Sequence, residues 1–332
     1  MSVSKVMLLF CAASGFLLAA LPHLVWLACW VASRLNGHVL RYAPFGWTAV
    51  GLVLAFWGLM AYGYFIGRWK LEVVPVTYSN ATIPKAFDGY RIVHISDLHL
   101  STFDDSPEQL DRFVETINRQ QPDLVCFTGD LVTIGRQEAE PYTKVLKSIK
   151  AKDGIVSVLG NHDFLLYSRG FADEQAREAA VEALASYEAD SLGWHLLRDS
   201  SLRIGRDGQY ITVIGVDNKN CTDQGFRTID RGDLQKAMEG TDGFRILLTH
   251  DPSHWDAEVT TTDIPLTLSG HTHAAQFRIF GWALSRLLFR QSDGRYDKSG
   301  QTLYINRGLG CTAPFRIGAD PEITVVTLNY ER

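Results

Sequence analysis

The 332-residue sequence predicts an α/β domain preceded by two membrane-spanning helices. Three observations lead there. The first 71 residues hold two long apolar runs and no Asp or Glu. The remainder alternates short β-rich runs with polar helical stretches. Polar clusters sit where the apolar runs end, which is where α/β folds collect their ligands.

From Val6 to Ala32, and again from Ala43 to Gly67, no residue is charged. Each run exceeds the roughly 20 residues an apolar helix needs to cross a bilayer. Spans are expected at about 6–32 and 45–67, within an anchor of residues 1–71. A cleaved signal peptide is the poorer account of the first run, because its apolar part far exceeds the roughly 7–15 residues of such segments. Cys11 follows Leu9-Phe10 rather than the small residues of a lipoprotein cleavage site. Pro22 and His23 interrupt the run, so a kink or a re-entrant hairpin is open, with one kinked span the expectation. Tyr42 and Trp47, then Tyr62, Tyr64 and Trp69, match interfacial aromatic belts at the two ends of the second span.

Two spans put the amino terminus and the soluble part on one side, which carries Lys5, Arg68 and Lys70. The connecting loop carries Arg34 and Arg41. This three-to-two excess is a weak signal that leans the soluble domain of a multi-pass cell-membrane protein to the cytoplasmic side, with a periplasmic or outer-face domain the alternative.

The net charge of −5 conceals an asymmetry. Five of the 32 basic residues lie in the first 71 positions, so residues 72–332 set 27 basic against all 37 acidic residues, a net of −10. A nucleic-acid partner, which selects a basic face, is not expected. Cys11, Cys29, Cys126, Cys221 and Cys311 show no CxxC spacing, which predicts buried free thiols rather than disulfides or a zinc finger.

Residues 72–88 read as a linker, with Asn80 and Pro84 in it, and 89–332 as the folded domain. Arg91–Ile95 is a predicted strand followed by Ser96-Asp97-Leu98-His99. Ser106-Pro107-Glu108 opens a helix with Leu110, Phe113, Val114 and Ile117 on one face. Asp123–Phe127 is a strand ending in Thr128-Gly129-Asp130. A helix near Pro141–Lys150 leads to the strand Ile155–Leu159, which ends in Gly160-Asn161-His162-Asp163. A second long helix covers about Ala172–Tyr187. The runs Ile211–Val216, Arg245–Leu248, Ile264–Leu268, Thr302–Ile305 and Ile323–Leu328 read as strands. No internal repeat or low-complexity tract is present.

Five clusters follow strand ends: Asp97-Leu98-His99, Gly129-Asp130, Gly160-Asn161-His162-Asp163, Thr249-His250 and Gly270-His271-Thr272-His273. Singly each is a plain turn feature, since Asp and Asn cap turns well. Together they offer imidazole, carboxylate and amide oxygen without thiolate, a donor set for zinc, manganese or iron. Asp97, His99, Asp130, Asn161, His250, His271 and His273 are too many donors for one tetrahedral ion, and two ions sharing a carboxylate would use them all. Such a pair activates a hydroxide and clamps a phosphoryl group during in-line attack. His162, left without an ion, reads as general acid or transition-state stabiliser, with Asp163 orienting it. The glycines are expected to let the backbone turn sharply toward the ions.

This order of motifs resembles the calcineurin-like metallophosphoesterase superfamily over about residues 89–330. The two apolar spans, with "LLTHDPSHW" and "INRGLG", resemble more narrowly its membrane-linked bacterial branch, which includes phosphodiesterase-like proteins and enzymes acting on lipid A precursors. The resemblance implies a four-layer α/β/β/α sandwich. It would place Asp97, His99 and His273 on one metal, Asn161, His250 and His271 on the other, and Asp130 as the bridge. It further implies two divalent ions (Mn, Fe or Zn) and hydrolysis of a phosphodiester, a phosphomonoester or a lipid-linked pyrophosphate by metal-bound hydroxide. A catalytically inactive phosphoesterase-like membrane scaffold is the alternative; it predicts lost ligands, and none is missing. The chain departs from the family at Ala274-Ala275-Gln276, where many members have glycines.

Several features have plainer readings. His94 and His254 fall outside the clusters and read as structural histidines. Asp251 and Trp255 fit the site entrance and, equally well, helix capping and core packing. Gly308-Leu309-Gly310 lacks a third glycine and a following helix, so it reads as a turn between strands. Phe280–Phe289, "FGWALSRLLF", apolar apart from Arg286 and flanked by Arg278 and Arg290, fits either a lipid-docking segment or an ordinary core element.

Overall fold

The computed structural model describes residues 3–331; Met1, Ser2 and Arg332, inside the expected domain bounds, lie outside the described residues. Two compact units are present. One comprises the chain up to Arg68 together with Ala313–Ile317, and the other comprises Trp69–Thr312 with Gly318–Arg332.

In the first unit, α1 (Val3–Leu35) runs without a break through Pro22, so no re-entrant hairpin forms. Helix α2 (Ala43–Phe65) carries Pro44 in its first turn, where the missing N–H has no helical partner to lose. A Cβ on Gly15 would stand 2.7 Å from the Trp57 indole nitrogen, so glycine admits that ring between the helices. The stretches Cys11–Leu35 and Ala43–Trp69 have mean hydropathy 1.8 and are only 11% and 17% buried. Both are long and apolar enough to cross a membrane. Their outward Leu17, Trp47, Leu54 and Phe65 are side chains that water would not favour.

The second unit is built on two six-stranded sheets. The first contains β1 (Glu72–Asn80), β2 (Arg91–Ile95), β3 (Leu124–Phe127), β4 (Ile155–Ser157), β5 (His195–Leu196) and the last strand, β14 (Glu322–Tyr330), in the order β1-β14-β2-β3-β4-β5. The second contains β6 (Ser200–Arg206), β7 (Gln209–Gly215), β8 (Phe244–Leu248), β9 (Leu266–Ser269), β12 (Gly294–Lys298) and β13 (Gln301–Ile305), in the order β12-β13-β9-β8-β7-β6. A small hairpin, β10 (Arg278–Ile279) with β11 (Trp282–Ala283), stands apart.

Side-chain alternation sorts the core into layers. Ile92, Leu124, Cys126 and Val156 of the first sheet meet Val213, Ile246, Leu248 and Leu268 of the second in one cluster. The intervening Val93, Ile95, Val125 and Phe127 face the other way, onto α3 (Glu108–Arg119), α4 (Thr143–Leu146) and α5 (Glu174–Ser186). Ile214 and Leu247 pack with Leu234, Ala237 and Trp255 of the short α6 (Leu234–Met238) and α7 (Ser253–Ala257). The result is the four-layer α/β/β/α sandwich.

The structure corrects three expectations. Residues 72–80 are not linker: they form β1, paired in parallel with β14 from Glu72↔Glu322 to Asn80↔Tyr330. Pro75 is tolerated because β1 is an edge strand, so the N–H that proline lacks is not needed on the open side. The helix expected near 141–150 is a single turn, because Asn118 bonds the Ser148 carbonyl at 2.9 Å and the Lys150 N–H at 2.8 Å, holding them out of helical geometry. Buried thiols hold for Cys11, Cys126 and Cys311, but Cys29 is exposed and Cys221 half-buried.

Helix α5 is capped by Asp173, which accepts from the Ala176 N–H at 2.8 Å, and ends in a wide turn over Tyr187–Leu192. That turn buries Glu188 completely, with the Ser157 side chain as its polar neighbour. Burial, then the charge of Asp163, pushes its pKa well above the usual carboxylate range. An acid raised in this way takes up a proton on folding, so the folded state loses stability as pH rises above about 4.5, by about 1.4 kcal/mol per pH unit, until the folded pKa is passed. Glu188→Gln should therefore raise the melting temperature more at about pH 8 than at about pH 5. An equal change at both pH values would show that Glu188 is not a protonated acid in the fold.

Candidate metal centre

The topology gathers the clusters. Strands β2, β3 and β4 are adjacent in one sheet and β8 and β9 adjacent in the other, so the loops leaving their carboxyl ends meet. Asp97 and His99 follow β2, Asp130 follows β3, Asn161 follows β4, His250 follows β8, and His271 and His273 follow β9. All seven are buried.

Their donor atoms form two groups. His273 Nε2 lies 3.2 Å from Asp97 Oδ1 and 3.1 Å from His99 Nε2. In the second group, Asn161 Oδ1 is 2.8 Å from His271 Nδ1 and 3.1 Å from His250 Nε2, and the two ring nitrogens are 3.2 Å apart. Asp130 Oδ2 stands 3.5 Å from His99 Nε2 and 3.2 Å from His250 Nε2, between the groups.

The hydrogen bonds around the second group assign its protons. His250 Nδ1 is 2.6 Å from the Thr128 carbonyl, so it carries a hydrogen and Nε2 is the nitrogen that can offer a lone pair to an ion. Gln224 donates its amide to Asp251 Oδ2 at 2.6 Å, which leaves Gln224 Oε1 to accept from His271 Nε2 at 2.8 Å. His271 Nδ1 is then also a lone pair. Asn161 Nδ2 donates to the Tyr167 hydroxyl at 3.1 Å, so Oδ1 is the atom turned inward. Asn161 Oδ1, His271 Nδ1 and Asp130 Oδ2 thus each lie within 3.2 Å of His250 Nε2, an arrangement that repels itself unless a proton or a metal cation sits among them.

The electrostatics agree. Burial alone would raise Asp97 and Asp130, but the imidazoles reverse it: His273 and then His250 beside Asp97, His250 and then His162 beside Asp130, hold both carboxyls below their usual range. Burial would lower His250, yet Asp130 and Asp97 push it up to about 10. Without an ion the same field would place a second proton on His250, at Nε2, and a divalent ion would take that proton's place.

Gly129 turns the chain with a left-handed φ of 90°, while Gly160 and Gly270 act through space. A Cβ on Gly160 would stand 2.3 Å from Asp130 Oδ1, and one on Gly270 would stand 1.9 Å from Ser96 Oγ and 2.3 Å from Asp97 Oδ2. Left-handed backbone falls also on the donors themselves: Asp97, His99, Asp130, His271 and His273 have φ of 51°, 39°, 59°, 75° and 48°. Each costs roughly 1–2 kcal/mol, strain of the kind stored at functional sites. Ala274, Ala275 and Gln276 continue it at 53°, 51° and 55°, so the departure from glycine falls where glycine fits best.

His162 is half-buried and offers a ring nitrogen within 4.8 Å of the donor atoms of His99 and Asp130. Its Nδ1 lies 2.9 Å from the Thr133 carbonyl. The orienting role expected of Asp163 is thus filled by Thr133. Asp163 takes backbone N–H groups of Asp130, Leu131, Val132 and Gly160 at 2.7–3.2 Å and ties the β3 loop to the β4 loop. Burial, then Asp130, pushes its pKa up to about 7. His94 and His254 are structural as expected, paired with Thr128 Oγ1 at 2.9 Å and Thr249 Oγ1 at 3.0 Å.

Sequence reasoning missed Gln224 and Tyr167, which stand singly in loops with no motif around them. The Tyr167 ring lies 4.3 Å from that of His162. Phe289 meets the His271 ring edge-on at 5.5 Å, and Phe226 lies 6.0 Å from it. Asp251 does cap, accepting the Ser253 N–H at 2.8 Å, and also holds Gln224.

A family model described as calcineurin-like phosphoesterase matches residues 90–275. An uncharacterized metallophosphoesterase, YkuE, of Bacillus subtilis is 32% identical over 296 residues, covering 86% of this chain and 94% of its own. A transmembrane protein with metallophosphoesterase domain from Danio rerio is 31% identical over 310 residues, covering 90% of this chain and 66% of its own. The crystal structure of TT1561 of Thermus thermophilus aligns over 66% of this chain and 90% of that one, with 14% identity and a TM-score of 0.42.

Proposed function

The chain belongs to the calcineurin-like phosphoesterase family, and on that premise we propose that it is a membrane-anchored, dinuclear metal-dependent phosphoesterase. The observation that carries this is the convergence beside Asp130 of Asn161 Oδ1, His250 Nε2 and His271 Nδ1, three atoms placed to offer lone pairs to one ion. Asp97, His99 and His273 would hold one ion, Asn161, His250 and His271 the other, with Asp130 between them. Two divalent ions there supply Lewis acidity toward the phosphoryl oxygens and the attacking water. The chain's own residues do the rest. Asp163 fixes the Asp130 and Asn161 loops against each other, and Thr133 holds His162 Nδ1 so that Nε2 can pass a proton to the leaving oxygen.

The substrate we propose is a lipid-linked phosphoester. The β10–β11 hairpin and the turn after it expose Phe280, Trp282, Leu287 and Leu288, and the apolar run ends at Phe289 against His271. Residues 264–292 hold no Asp or Glu within a strongly acidic unit. Leu288, Phe289 and Arg290 also line a groove of about 380 Å³. Arg286 and Arg290 are exposed, although Asp293 and Asp256 partly neutralise them. An apolar surface edged with arginine suits an acyl or isoprenoid chain carrying phosphate. Lys5, Arg68 and Lys70 against Arg34 and Arg41 favour the cytoplasmic face for the site.

One experiment covers the set. Inside-out membrane vesicles given manganese should hydrolyse an aryl phosphodiester and, faster, a lipid-linked phosphoester. Sealed right-side-out vesicles should not hydrolyse the soluble diester. The double variant Trp282→Ser/Leu287→Gln should lose about 10-fold on the lipid substrate relative to the aryl one, the scale of about 1.4 kcal/mol of lost apolar contact. An unchanged ratio would remove the lipid reading, and activity confined to right-side-out vesicles would reverse the membrane side.

A further inference from the structure

Beyond the proposed ligands, one chain of side chains runs from His271 into the protein. His271 Nε2 meets Gln224 Oε1 at 2.8 Å, and Gln224 Nε2 meets Asp251 Oδ2 at 2.6 Å. The same Asp251 oxygen accepts Asn220 Nδ2 at 2.8 Å, while its other oxygen accepts the Ser253 N–H at 2.8 Å. Gln224 and Asp251 are both buried, Gln224 in the long loop between β7 and α6, Asp251 directly after His250.

The direction of this chain is fixed at its far end. Asp251 Oδ2 also takes the Asn220 amide and Oδ1 the Ser253 N–H, so Asp251 serves as acceptor throughout; the Gln224 amide nitrogen faces it and the Gln224 oxygen faces His271. That oxygen in turn requires the hydrogen of His271 on Nε2 and turns the Nδ1 lone pair toward Asn161 and His250. We propose that Gln224, oriented by Asp251, is a positioning residue that sets the His271 tautomer and ring plane for one of the two metal ions. This rests on the metal-dependent reading above. A ligand histidine without such a partner samples both tautomers and rotates, and losing the partner typically weakens metal affinity about 10–100-fold.

The test titrates manganese into the purified full-length protein and reads the affinity of each site, independently of turnover. Gln224→Leu keeps the volume and removes both hydrogen bonds; it should weaken one of two sites about 10–100-fold and leave the other unchanged. Gln224→Glu, which sets a carboxylate against Asp251, should do the same. The exchange Gln224→Glu/Asp251→Asn reverses donor and acceptor between the two positions and still offers His271 an oxygen, so affinity should return to within a few-fold of the parent.

A parent that binds no manganese would overturn the metal-dependent reading itself. A parent with two sites, both unaltered by Gln224→Leu, would overturn the positioning role and leave that reading standing. Should Gln224→Leu fail to fold, as judged by its melting temperature, the exchange decides: a folded Gln224→Glu/Asp251→Asn protein without recovered affinity overturns the proposal.

Discussion

Asp130→Ala is expected to lower phosphoester hydrolysis by about 10³-fold or more, roughly 4 kcal/mol of transition-state stabilisation, and to leave less than two equivalents of divalent metal bound. Asp130 Oδ2 stands 3.2 Å from His250 Nε2 and 3.5 Å from His99 Nε2, so its loss removes a negative charge from between both groups of donors. Its other oxygen accepts the His162 N–H at 2.8 Å, so alanine also frees the loop carrying the proposed acid. Asp130→Asn separates the two effects. The amide oxygen can keep the His162 N–H while the charge is gone, and the activity should still fall nearly as far. The check is turnover of an aryl phosphodiester alongside the metal content of the dialysed protein. Parent-like values in Asp130→Asn would sink the bridging assignment.

The layered fold was legible where the local pattern was strong. The runs around Ile92, Val125 and Ile246 are short, β-branched and bounded by turn residues, and each is a strand. What escaped were segments whose structure depends on distant partners. Glu72–Asn80 contains a proline and reads as linker, yet it becomes a strand because β14 supplies nine residues of parallel pairing. The helix after Pro141 was cut short by Asn118, some 30 residues away, which no window of local sequence contains.

The centre shows the same division. Its seven donors were visible because each closes a strand with a residue type suited to a metal, so order and chemistry reinforced one another. Gln224, Thr133 and Tyr167 were invisible for the opposite reason: glutamine, a backbone carbonyl and a tyrosine in a loop have no chemistry until the fold brings them to His271, His162 and Asn161. Asp163 was read as a partner of its neighbour in sequence, whereas its carboxylate spends itself on backbone N–H groups of the β3 and β4 loops.

That reassignment sharpens the prediction for His162. With Nδ1 engaged by the Thr133 carbonyl, the ring has one nitrogen left with which to transfer a proton. His162→Ala should therefore lower kcat by about 10²–10⁴-fold, the usual contribution of a positioned general acid, on substrates whose leaving group is a poor alkoxide. On aryl esters, whose phenolate departs without a proton, the loss should be far smaller, and the alkaline fall of the parent's pH–rate profile on alkyl substrates should disappear. Divalent metal content should stay at the parent's value, because the proposed ligand sets hold both ions without His162, although its ring nitrogen lies within 4.8 Å of the His99 and Asp130 donor atoms. An equal loss across leaving groups would instead assign His162 to stabilising charge on the phosphoryl group, and a loss of bound metal would make it a ligand; either outcome removes the acid role.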